Sequence, residues 1–419
     1  MSEMTAPFVV IGGGQAGAWI ARTLRTEGFE GRIVIIGAEP YWPYERPALS
    51  KAFLQGTADA ASLTLLDEAQ AGELDVECWR DCTVARIDRE AHQVICLDGR
   101  LLEYQKLFVA TGARVRTLPW LAGVSTDRIH TLRTQADALR LRGALGAANS
   151  LLVIGGGWIG LEVAATGRMM GKAVTVIEAS PGLCSRTVPE IVSSFLTNLH
   201  EAQGVTIRVG QGVIGLTSDQ FGVELTLDTG ERLRADHAVI GIGIIPETRL
   251  ATTCGLEIED GIIVDGQGRT SDPDIFAAGD VARHQSRFAR ATLRLESWAN
   301  AQNQAIVAAK ASLGRADVYD EVPWLWSDQY TVNLQILGLP AQATRVVARG
   351  TPETGSGCWL MLGVDGTAVG AIAVNAPREL RALRKLLAEG RTPCPEAWAN
   401  QETKLINLPL LPGPVSAAC

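Results

Sequence analysis

The sequence has few cysteines and none at the spacing of a reactive or metal-binding pair. Its 419 residues include eight cysteines, and none of them falls in a Cys-x-x-C motif. Cys78 and Cys82 are the closest two, and their spacing is poor for a structural zinc site. We therefore expect no bound metal, and buried free thiols in a reducing compartment. The eight are Cys78, Cys82, Cys96, Cys184, Cys254, Cys358, Cys394 and Cys419.

Long apolar runs, positive charge and aromatic residues are also scarce. No stretch reaches the roughly 18 apolar residues of a membrane helix, and the opening "MSEMTAPFVV" lacks the regions of a signal peptide. These absences predict a soluble, cytoplasmic protein. The net charge of −8 argues against nucleic acid as the main partner. Only 5% of the residues are aromatic, whereas 44 residues are glycine. This composition is typical of strand-turn-helix folds. The length predicts two or three domains.

A glycine-rich motif follows the first apolar segment. In "FVVIGGGQAGAWIARTL" the glycines are Gly12, Gly14 and Gly17, and a helical pattern follows them. A second apolar segment, "RIVIIGAE", then ends in Glu39. This order of strand, glycines, helix, strand and acid predicts a dinucleotide-binding unit.

The same motif returns 143 residues after Gly12, about one domain length later. In "LLVIGGGWIGLEVAATGRMMGKAVTVIE" the glycines are Gly155, Gly157 and Gly160, and the next apolar segment ends in Glu178. One motif alone could be a simple tight turn. Two complete copies predict two dinucleotide sites.

Each part of the motif has a physical task. The first glycine permits the tight turn, the second lets the backbone approach a diphosphate, and the third allows close helix–strand packing. The helix N-terminus offers free N–H groups and a partial positive charge. The acid accepts hydrogen bonds from ribose hydroxyls.

A further segment, "GRTSDPDIFAAGDVAR", places Asp280 after a short apolar run and a glycine. A carboxylate there can bind the ribityl hydroxyl of a flavin, although an isolated Gly-Asp could also cap a helix. Together these features predict an α/β fold with two Rossmann-like domains, one for FAD and one for NAD. A small C-terminal α+β domain follows them.

At this point the sequence resembles the NADH-dependent ferredoxin reductases of bacterial oxygenase systems, which serve aromatic-ring dioxygenases and cytochrome P450 enzymes. The segments that carry the resemblance are "ERPALSK", "GGGWIGLEVA", "IFAAGDVAR", "LESWANAQNQA" and "VPWLWSDQY". It implies electron transfer from NADH through FAD to a [2Fe–2S] ferredoxin, with hydride transfer to flavin N5 and then two one-electron steps. It also implies four segments. These are 1–112 and 246–322 for the FAD-binding domain, 113–245 for the NAD-binding domain and 323–419 for the C-terminal domain.

The resemblance also assigns binding residues. Whether Glu39 or its neighbour Ala38 meets the adenosine ribose stays open. For FAD it implies Gly12, Gly14, Ala16, Gly17, Ala38, Glu39, Arg46, Lys51, Val84, Ala110, Thr111, Gly112, Arg133, Asp280 and Trp298. For NAD it implies Gly155, Gly157, Trp158, Ile159, Gly160, Glu162, Glu178, Gly243 and Glu296.

The segment "PYERPALSK" combines two prolines with Arg46 and Lys51. The prolines restrict the backbone so that both cations point along the flavin ring. A cation there stabilises negative charge on the reduced ring and raises its potential. In relatives this lysine pairs with a glutamate of the second glycine-motif helix, here Glu162. The alternative for Glu162 is a solvated surface acid, but a partly buried charge usually needs a partner.

Two residue patterns refine the chemistry. Glu178 would repel a 2′-phosphate, and the following "ASPG" contains no arginine, so we expect NADH rather than NADPH. The segment from Glu39 to Leu54 contains no cysteine, whereas related disulfide reductases and NADH peroxidases carry a reactive thiol there. A one-electron carrier is therefore the expected acceptor.

The C-terminal segment begins with "WLWSDQY". We expect one of Trp324 and Trp326 to be a core residue and the other to pack on the cofactor.

Because ferredoxins are usually acidic, a basic run is a candidate docking site, although such a run can also be an ordinary solvated face. Two alternatives remain: a rubredoxin reductase, or a redox-controlled binding flavoprotein that resembles apoptosis-inducing factor. The candidate docking residues are Arg283, Arg287, Arg290 and Arg294.

Overall fold

The computed structural model describes residues 6–118, 121, 124 and 127–411. Cys419 and the first five residues of the opening segment lie outside this range. The chain divides into two compact units, and each is described by itself below. The first comprises Met1–Pro47, Asp59–Arg114 and Ile244–Glu321, and the second comprises Ala48–Ala58, Val115–Gly243 and Val322–Cys419.

Strands and helices alternate through most of the described chain. The strands are β1 Phe8–Ile11, β2 Ile33–Ile36, β3 Val76–Trp79, β4 Val84–Asp88, β5 Gln93–Cys96, β6 Leu101–Glu103, β7 Lys106–Val109, β8 Ala113–Val115, β9 Ile129–His130, β10 Ser150–Ile154, β11 Ala173–Glu178, β12 Thr206–Val209, β13 Val213–Asp219, β14 Gly222–Leu227, β15 Arg232–Ala235, β16 His237–Ile240, β17 Ile244–Pro246, β18 Ile262–Val264, β19 Ile275–Ala277, β20 Ala282–Ser286, β21 Ala291–Arg294, β22 Trp324–Gln329, β23 Val332–Gly338, β24 Arg345–Thr351, β25 Ser356–Leu362 and β26 Ala368–Val374. The helices are α1 Gln15–Thr26, α2 Ala52–Gln55, α3 Glu68–Glu73, α4 Gln135–Ala147, α5 Trp158–Met169, α6 Glu190–Ala202, α7 Arg249–Thr253, α8 Trp298–Ser312, α9 Pro377–Ala388 and α10 Pro395–Ala399.

The first unit is built on a parallel sheet in the order β19-β7-β1-β2-β3. Its central strand pairs Phe8 with Ile33 on one side and with Lys106 on the other. All four residues of β1 and of β2 are buried, as expected for a parallel sheet covered on both faces. Between β3 and β7 in the chain, the strands β4, β5 and β6 form a separate antiparallel sheet.

The second unit repeats the same design. Its parallel sheet has the order β12-β11-β10-β16-β9, and the antiparallel sheet β13-β14-β15 lies between β12 and β16 in the chain. The strand β10 therefore corresponds to β1, β11 to β2, β12 to β3 and β16 to β7. The internal repeat predicted from the glycine motifs is thus a repeat of the fold.

The C-terminal part of the second unit is an antiparallel sheet in the order β22-β23-β26-β25-β24, against which α9 packs. It has the predicted α+β character. One hydrophobic core contains both Val153 of the parallel sheet and Trp359 of the antiparallel sheet, which explains why the two form one unit. The predicted division into four segments stays a prediction. Within residues 6–118 and 127–411, the helices are all too short or too polar to span a bilayer.

Candidate functional site

The first glycine loop connects β1 to α1 with a backbone that only glycine can adopt. Gly12 has φ +128°, and a Cβ there would lie 2.1 Å from the Ala110 carbonyl oxygen. A Cβ at Gly17 would lie 2.0 Å from the Gly12 oxygen. In contrast, a Cβ at Gly14, the residue before α1, would meet none of the described residues within 4 Å apart from its chain neighbours. The loop is therefore tight against the protein and open at the helix N-terminus, which fits a diphosphate.

The acid after β2 is held by protein donors. Arg46 Nη2 donates to Glu39 Oε1 at 2.8 Å, and the Tyr44 hydroxyl donates to Glu39 Oε2 at 2.6 Å. The Arg46 guanidinium also lies over the Tyr44 ring, 5.2 Å from its centre. Both carboxylate oxygens thus fix the "PYER" segment. Ala38, the alternative at the adenosine end, is exposed.

The predicted ribityl-binding turn is fixed by a residue that the sequence did not reveal. Gly279 has φ +83°, and its N–H donates to Oε1 of the buried Gln304 at 2.9 Å. Asp280 follows this turn and is half-buried. Trp298 opens α8 and donates through Nε1 to Glu45 Oε2 at 2.9 Å. The signal for Gln304 was its place in the segment "LESWANAQNQA".

The remaining residues assigned to FAD have simpler surroundings. Val84 is buried in β4. Thr111 donates to the Glu247 carbonyl at 2.8 Å, directly after β7. The second unit contains Arg133, whose backbone N–H donates to Asp137 Oδ2 at 3.1 Å.

The second glycine loop, between β10 and α5, has the same close backbone contacts as the first. Gly155 has φ +110°, and a Cβ there would lie 2.4 Å from the Gly241 oxygen. A Cβ at Gly160 would lie 2.1 Å from the Gly155 oxygen, whereas one at Gly157 would meet nothing within 4 Å in the described part of the chain beyond its neighbours in sequence. Next to this opening, Trp158 Nε1 is buried and makes no hydrogen bond within the described residues. The loop can therefore accept a second diphosphate.

Two residues complete the surroundings of this loop. Ile159 is 46% exposed beside the opening. Gly243 has φ +104°, and Arg186 Nη2 lies 3.9 Å from where its Cβ would be. Arg186 was not predicted, because it lies beyond the four residues directly after Glu178 on which the expectation of no arginine rested.

Glu178 closes the loop from the end of β11. Its Oε2 accepts from the Gly156 N–H and its Oε1 from the Ser180 N–H, each at 2.7 Å. Backbone donors therefore orient a carboxylate that is still half-exposed. In this position it can accept ribose hydroxyls, and it repels a 2′-phosphate.

The Lys51–Glu162 pair predicted from the resemblance is present. Lys51 Nζ lies 2.9 Å from Glu162 Oε1, and Glu162 is only 3% exposed. Two hydroxyls complete the pair: Ser50 donates to Oε2 at 2.5 Å and Ser327 to Oε1 at 2.7 Å. Glu162 is therefore a buried anion with three donors. The solvated surface acid that was its alternative is excluded.

The prediction that one of two tryptophans is a core residue was wrong. Trp324 and Trp326 are both only partly buried, and their rings stack at 5.3 Å. Arg384 lies over the Trp324 ring. The reason is strand geometry, because residues two apart in β22 share a face. The opposite face carries the fully buried Ser327 and Gln329.

The proposed docking run does not present four free arginines. Arg283 pairs with Glu259 at 3.3 Å, and Arg294, whose side chain is 9% exposed, pairs with Glu296 at 2.7 Å. These two arginines face each other across β20 and β21, and both also lie within 3.8 Å of the Asp260 carboxylate. Only Arg287 and Arg290 of the four are exposed, and Arg287 pairs with Asp320 at 3.2 Å. Glu296, assigned to NAD, is the partner of Arg294.

The described cysteines are free thiols, but Cys78, Cys254 and Cys394 are only partly buried, so the prediction that all are buried was wrong for these three. Burial raises the pKa of Cys78 to about 11 and, with help from Cys82, that of Cys96 to about 12. Cys82, Cys96 and Asp98 lie close enough together to share a metal, but Asp98 is paired with Arg100 at 2.6 Å. High thiol pKa values disfavour both metal binding and nucleophilic chemistry.

Comparisons with known proteins agree with this architecture. The family model of pyridine nucleotide-disulphide oxidoreductases matches residues 6–305, and a reductase C-terminal model matches residues 324–408. The anthranilate 1,2-dioxygenase system ferredoxin–NAD(+) reductase component of Burkholderia cepacia is 41% identical, over 94% of this chain and 97% of that protein. Rhodocoxin reductase of Rhodococcus erythropolis is 39% identical, over 95% and 93%.

A solved structure has a similar fold over nearly the whole chain. The covalent putidaredoxin reductase–putidaredoxin complex superimposes with a TM-score of 0.92 at 35% identity, covering 96% of this chain and 98% of that one.

Proposed function

Because the chain belongs to the pyridine nucleotide-disulphide oxidoreductase family, we propose that it is an NADH:ferredoxin reductase that supplies electrons to an oxygenase. The observation that carries this function is the pair of open glycine loops in a chain with no cysteine between Glu39 and Leu54. Two loops provide for two dinucleotides, and without a thiol in that segment a one-electron carrier is the acceptor. Relatives of almost equal length that are named as ferredoxin reductases support the same function.

The cofactors are FAD in the first unit and NADH in the second. When bound, FAD accepts a hydride and releases two electrons singly. The opening above Gly14 and the N-terminus of α1 hold its diphosphate, with Asp280 toward the ribityl chain. The opening above Gly157, the unpaired Trp158 Nε1 and the carboxylate of Glu178 hold NADH.

Lys51 and Glu162 are the catalytic pair. Lys51 supplies a cation that stabilises negative charge on the reduced flavin. The Lys51 ammonium lies 2.9 Å from the Glu162 carboxylate, and this ion pair fixes its position. Ser50 and Ser327 hold that carboxylate from two sides. The pair thus fixes the position of a positive charge for the flavin reaction.

The four segments predicted from the sequence serve as the domains of this reductase, and the protein acts in the cytoplasm. The described cysteines, which are free thiols, support a reducing compartment. The acceptor is a [2Fe–2S] ferredoxin. Its docking surface includes Arg287 and Arg290, which are exposed, rather than Arg283 and Arg294, which are only partly exposed.

The test mixes the FAD-loaded protein with NADH, a [2Fe–2S] ferredoxin and cytochrome c, with NADPH in parallel. We expect fast flavin bleaching by NADH, slower bleaching by NADPH, and cytochrome c reduction that depends on ferredoxin. Flavin reduction without onward transfer would contradict the function. Transfer to rubredoxin instead would indicate a rubredoxin reductase. A long-lived reduced complex with NAD⁺ would indicate a redox-controlled binding flavoprotein.

A further inference from the structure

A line of hydrogen bonds extends from Glu162 into the core of the second unit. Ser327 Oγ donates to Glu162 Oε1 at 2.7 Å, and Gln329 Nε2 donates to Ser327 Oγ at 3.0 Å. Gln329 Oε1 lies 2.8 Å from His200 Nε2, and His200 Nδ1 lies 3.0 Å from the Tyr330 hydroxyl. Five side chains from α5, β22, α6 and the residue after β22 thus form one connected line.

Four of the five members of this line are removed from water, and the fifth, Tyr330, is half-buried. Ser327, Gln329 and His200 are each 0% exposed, and Glu162 is 3% exposed. A buried polar group without a partner costs about 1–3 kcal/mol, so each member depends on its neighbours. Burial lowers the pKa of His200, which keeps its imidazole neutral. The line therefore contains one charged group, the Glu162 carboxylate at its end.

The charge on Glu162 sets the direction of every hydrogen bond. A carboxylate only accepts, so Ser327 donates to it and accepts from Gln329 Nε2. The carboxamide oxygen of Gln329 is then left to accept, and His200 must carry its proton on Nε2. His200 Nδ1 in turn accepts from the Tyr330 hydroxyl. All four donors thus point toward Glu162, and aligned bonds of this kind strengthen one another.

We propose that Ser327, Gln329 and His200 are positioning residues for the Lys51–Glu162 pair. They hold the Glu162 carboxylate in one orientation, and through it they fix the position of the Lys51 charge. A carboxamide does not readily pass protons along such a line, so the line transmits orientation and polarisation rather than protons. The inference rests on the proposed function, since that function gives the pair its role at the flavin.

The first test needs no variant. In ¹⁵N-histidine-labelled holoenzyme at pH 7, we expect the nitrogen signals of His200 to show a neutral ring protonated on Nε2. A ring protonated on Nδ1, or an imidazolium, would overturn the proposal, because the donors could not then all point to Glu162. The chain has five histidines, so the spectrum is simple enough to assign.

The second test asks whether the line is coupled to the pair. Ser327→Ala removes one hydroxyl from the middle. We expect it to shift the His200 nitrogen signals and to change the midpoint potential of the bound flavin. His130→Gln is the matched control, because His130 is also a mostly buried histidine of the second unit and lies outside the line. It should leave the His200 signals and the flavin potential at their wild-type values.

The outcomes separate the two proposals. If Ser327→Ala folds and either the His200 signals or the flavin potential stays at the wild-type value, the coupling is disproved. If the variant does not fold, the protonated nitrogen of wild-type His200 still decides. A protein with the expected His200 signals and potential shift that cannot reduce ferredoxin would disprove the proposed function alone.

Discussion

A glutamate follows each glycine loop, Glu178 as the last residue of β11 and Glu39 three residues after the end of β2, yet the two carboxylates have different partners. Glu39 binds the side chains of Tyr44 and Arg46, whereas Glu178 binds the N–H groups of Gly156 and Ser180. The first therefore ties down a neighbouring segment, and the second stays half-exposed beside its loop. A motif can thus fix the backbone of a site without fixing the task of each residue in it.

The helices after the loops differ in the same way. Five residues after Gly157, α5 carries the buried Glu162, while at the same distance from Gly14 α1 carries Trp19. Trp19 is partly buried and packs on the core of the first unit. At this position, the first copy of the repeat therefore has a packing residue, and the second copy has a buried charge.

The largest effect is expected from Gly12→Ala and Gly155→Ala. Each new Cβ would lie within 2.4 Å of a carbonyl oxygen, at a positive φ. Strain of this kind costs about 1–3 kcal/mol before the clash is counted, and so we expect dinucleotide affinity to fall roughly 10- to 100-fold or more. Gly12→Ala should lose FAD, and Gly155→Ala should keep FAD but lose NADH binding, measured by flavin content and NADH titration.

A milder pair tests whether the openings bind ligands. Among the residues that the structure describes, the new Cβ of Gly157→Ala meets nothing within 4 Å outside its own chain neighbours, and that of Gly143→Ala in α4 of the same unit meets nothing outside its own helix. We expect only Gly157→Ala to weaken NADH binding, because its methyl group would occupy the space of the diphosphate. Equal NADH affinity in the two variants would show that the second loop does not bind the nucleotide.

The next effect in size concerns the buried pair of the second unit. Lys51→Met leaves the Glu162 carboxylate buried without its cation, and breaking such a pair costs about 3 kcal/mol of unfolding free energy. The double variant Lys51→Met/Glu162→Gln should recover part of that loss, since no buried charge remains. Urea unfolding of the two variants measures the difference. A double variant less stable than Lys51→Met would contradict the account.

A smaller and opposite pair of effects is expected at the two acids. Glu178→Ala removes the repulsion of a 2′-phosphate, and with Arg186 nearby we expect the ratio of NADPH to NADH activity to rise about tenfold. Glu39→Gln should instead lower the unfolding free energy by about 1–2 kcal/mol, with that ratio unchanged. If Glu39→Gln altered the nucleotide preference, the two carboxylates would not have the separate tasks described here.

Local patterns predicted those parts of the site that depend on local backbone. The glycine spacing gave both loops, and the resemblance gave the Lys51–Glu162 pair. Alternation in β22 could also have placed Trp324 and Trp326 on one face, but one was expected in the core and the other on the cofactor. Their position on one face was therefore predictable from the sequence.

Contacts between distant parts of the chain were not predictable in this way. His200 meets Gln329 across 129 positions, and Arg283 meets Glu259 through the packing of two strands. No periodicity in a single sequence specifies such partners, because they follow from which strands become neighbours. The sequence therefore suggested four free arginines at the candidate docking site, whereas in the structure three of them pair with acids.

The smallest predicted effect compares the two units in acid. Burial, followed by the neighbouring His237, lowers the pKa of His130 in the second unit to about 4. Burial alone lowers that of His284 in the first unit to about 4. An unfolded histidine titrates near 6.5, so the unfolded state binds more protons as the pH falls from 6.5 toward 4. Stability should therefore decrease over this window, by about 1 kcal/mol for each histidine after allowance for solvent screening.

His130→Gln and His284→Gln should each flatten part of this acid slope, measured as unfolding free energy from pH 7 to pH 4.5. His92→Gln is the control, because the His92 side chain is 47% exposed, and its slope should match the wild type. Carboxylates that lose their ion pairs also destabilise the protein in acid, but they are the same in all three variants and cancel in the comparison. If neither buried-histidine variant changed the slope, those carboxylates alone would set the acid limit of both units.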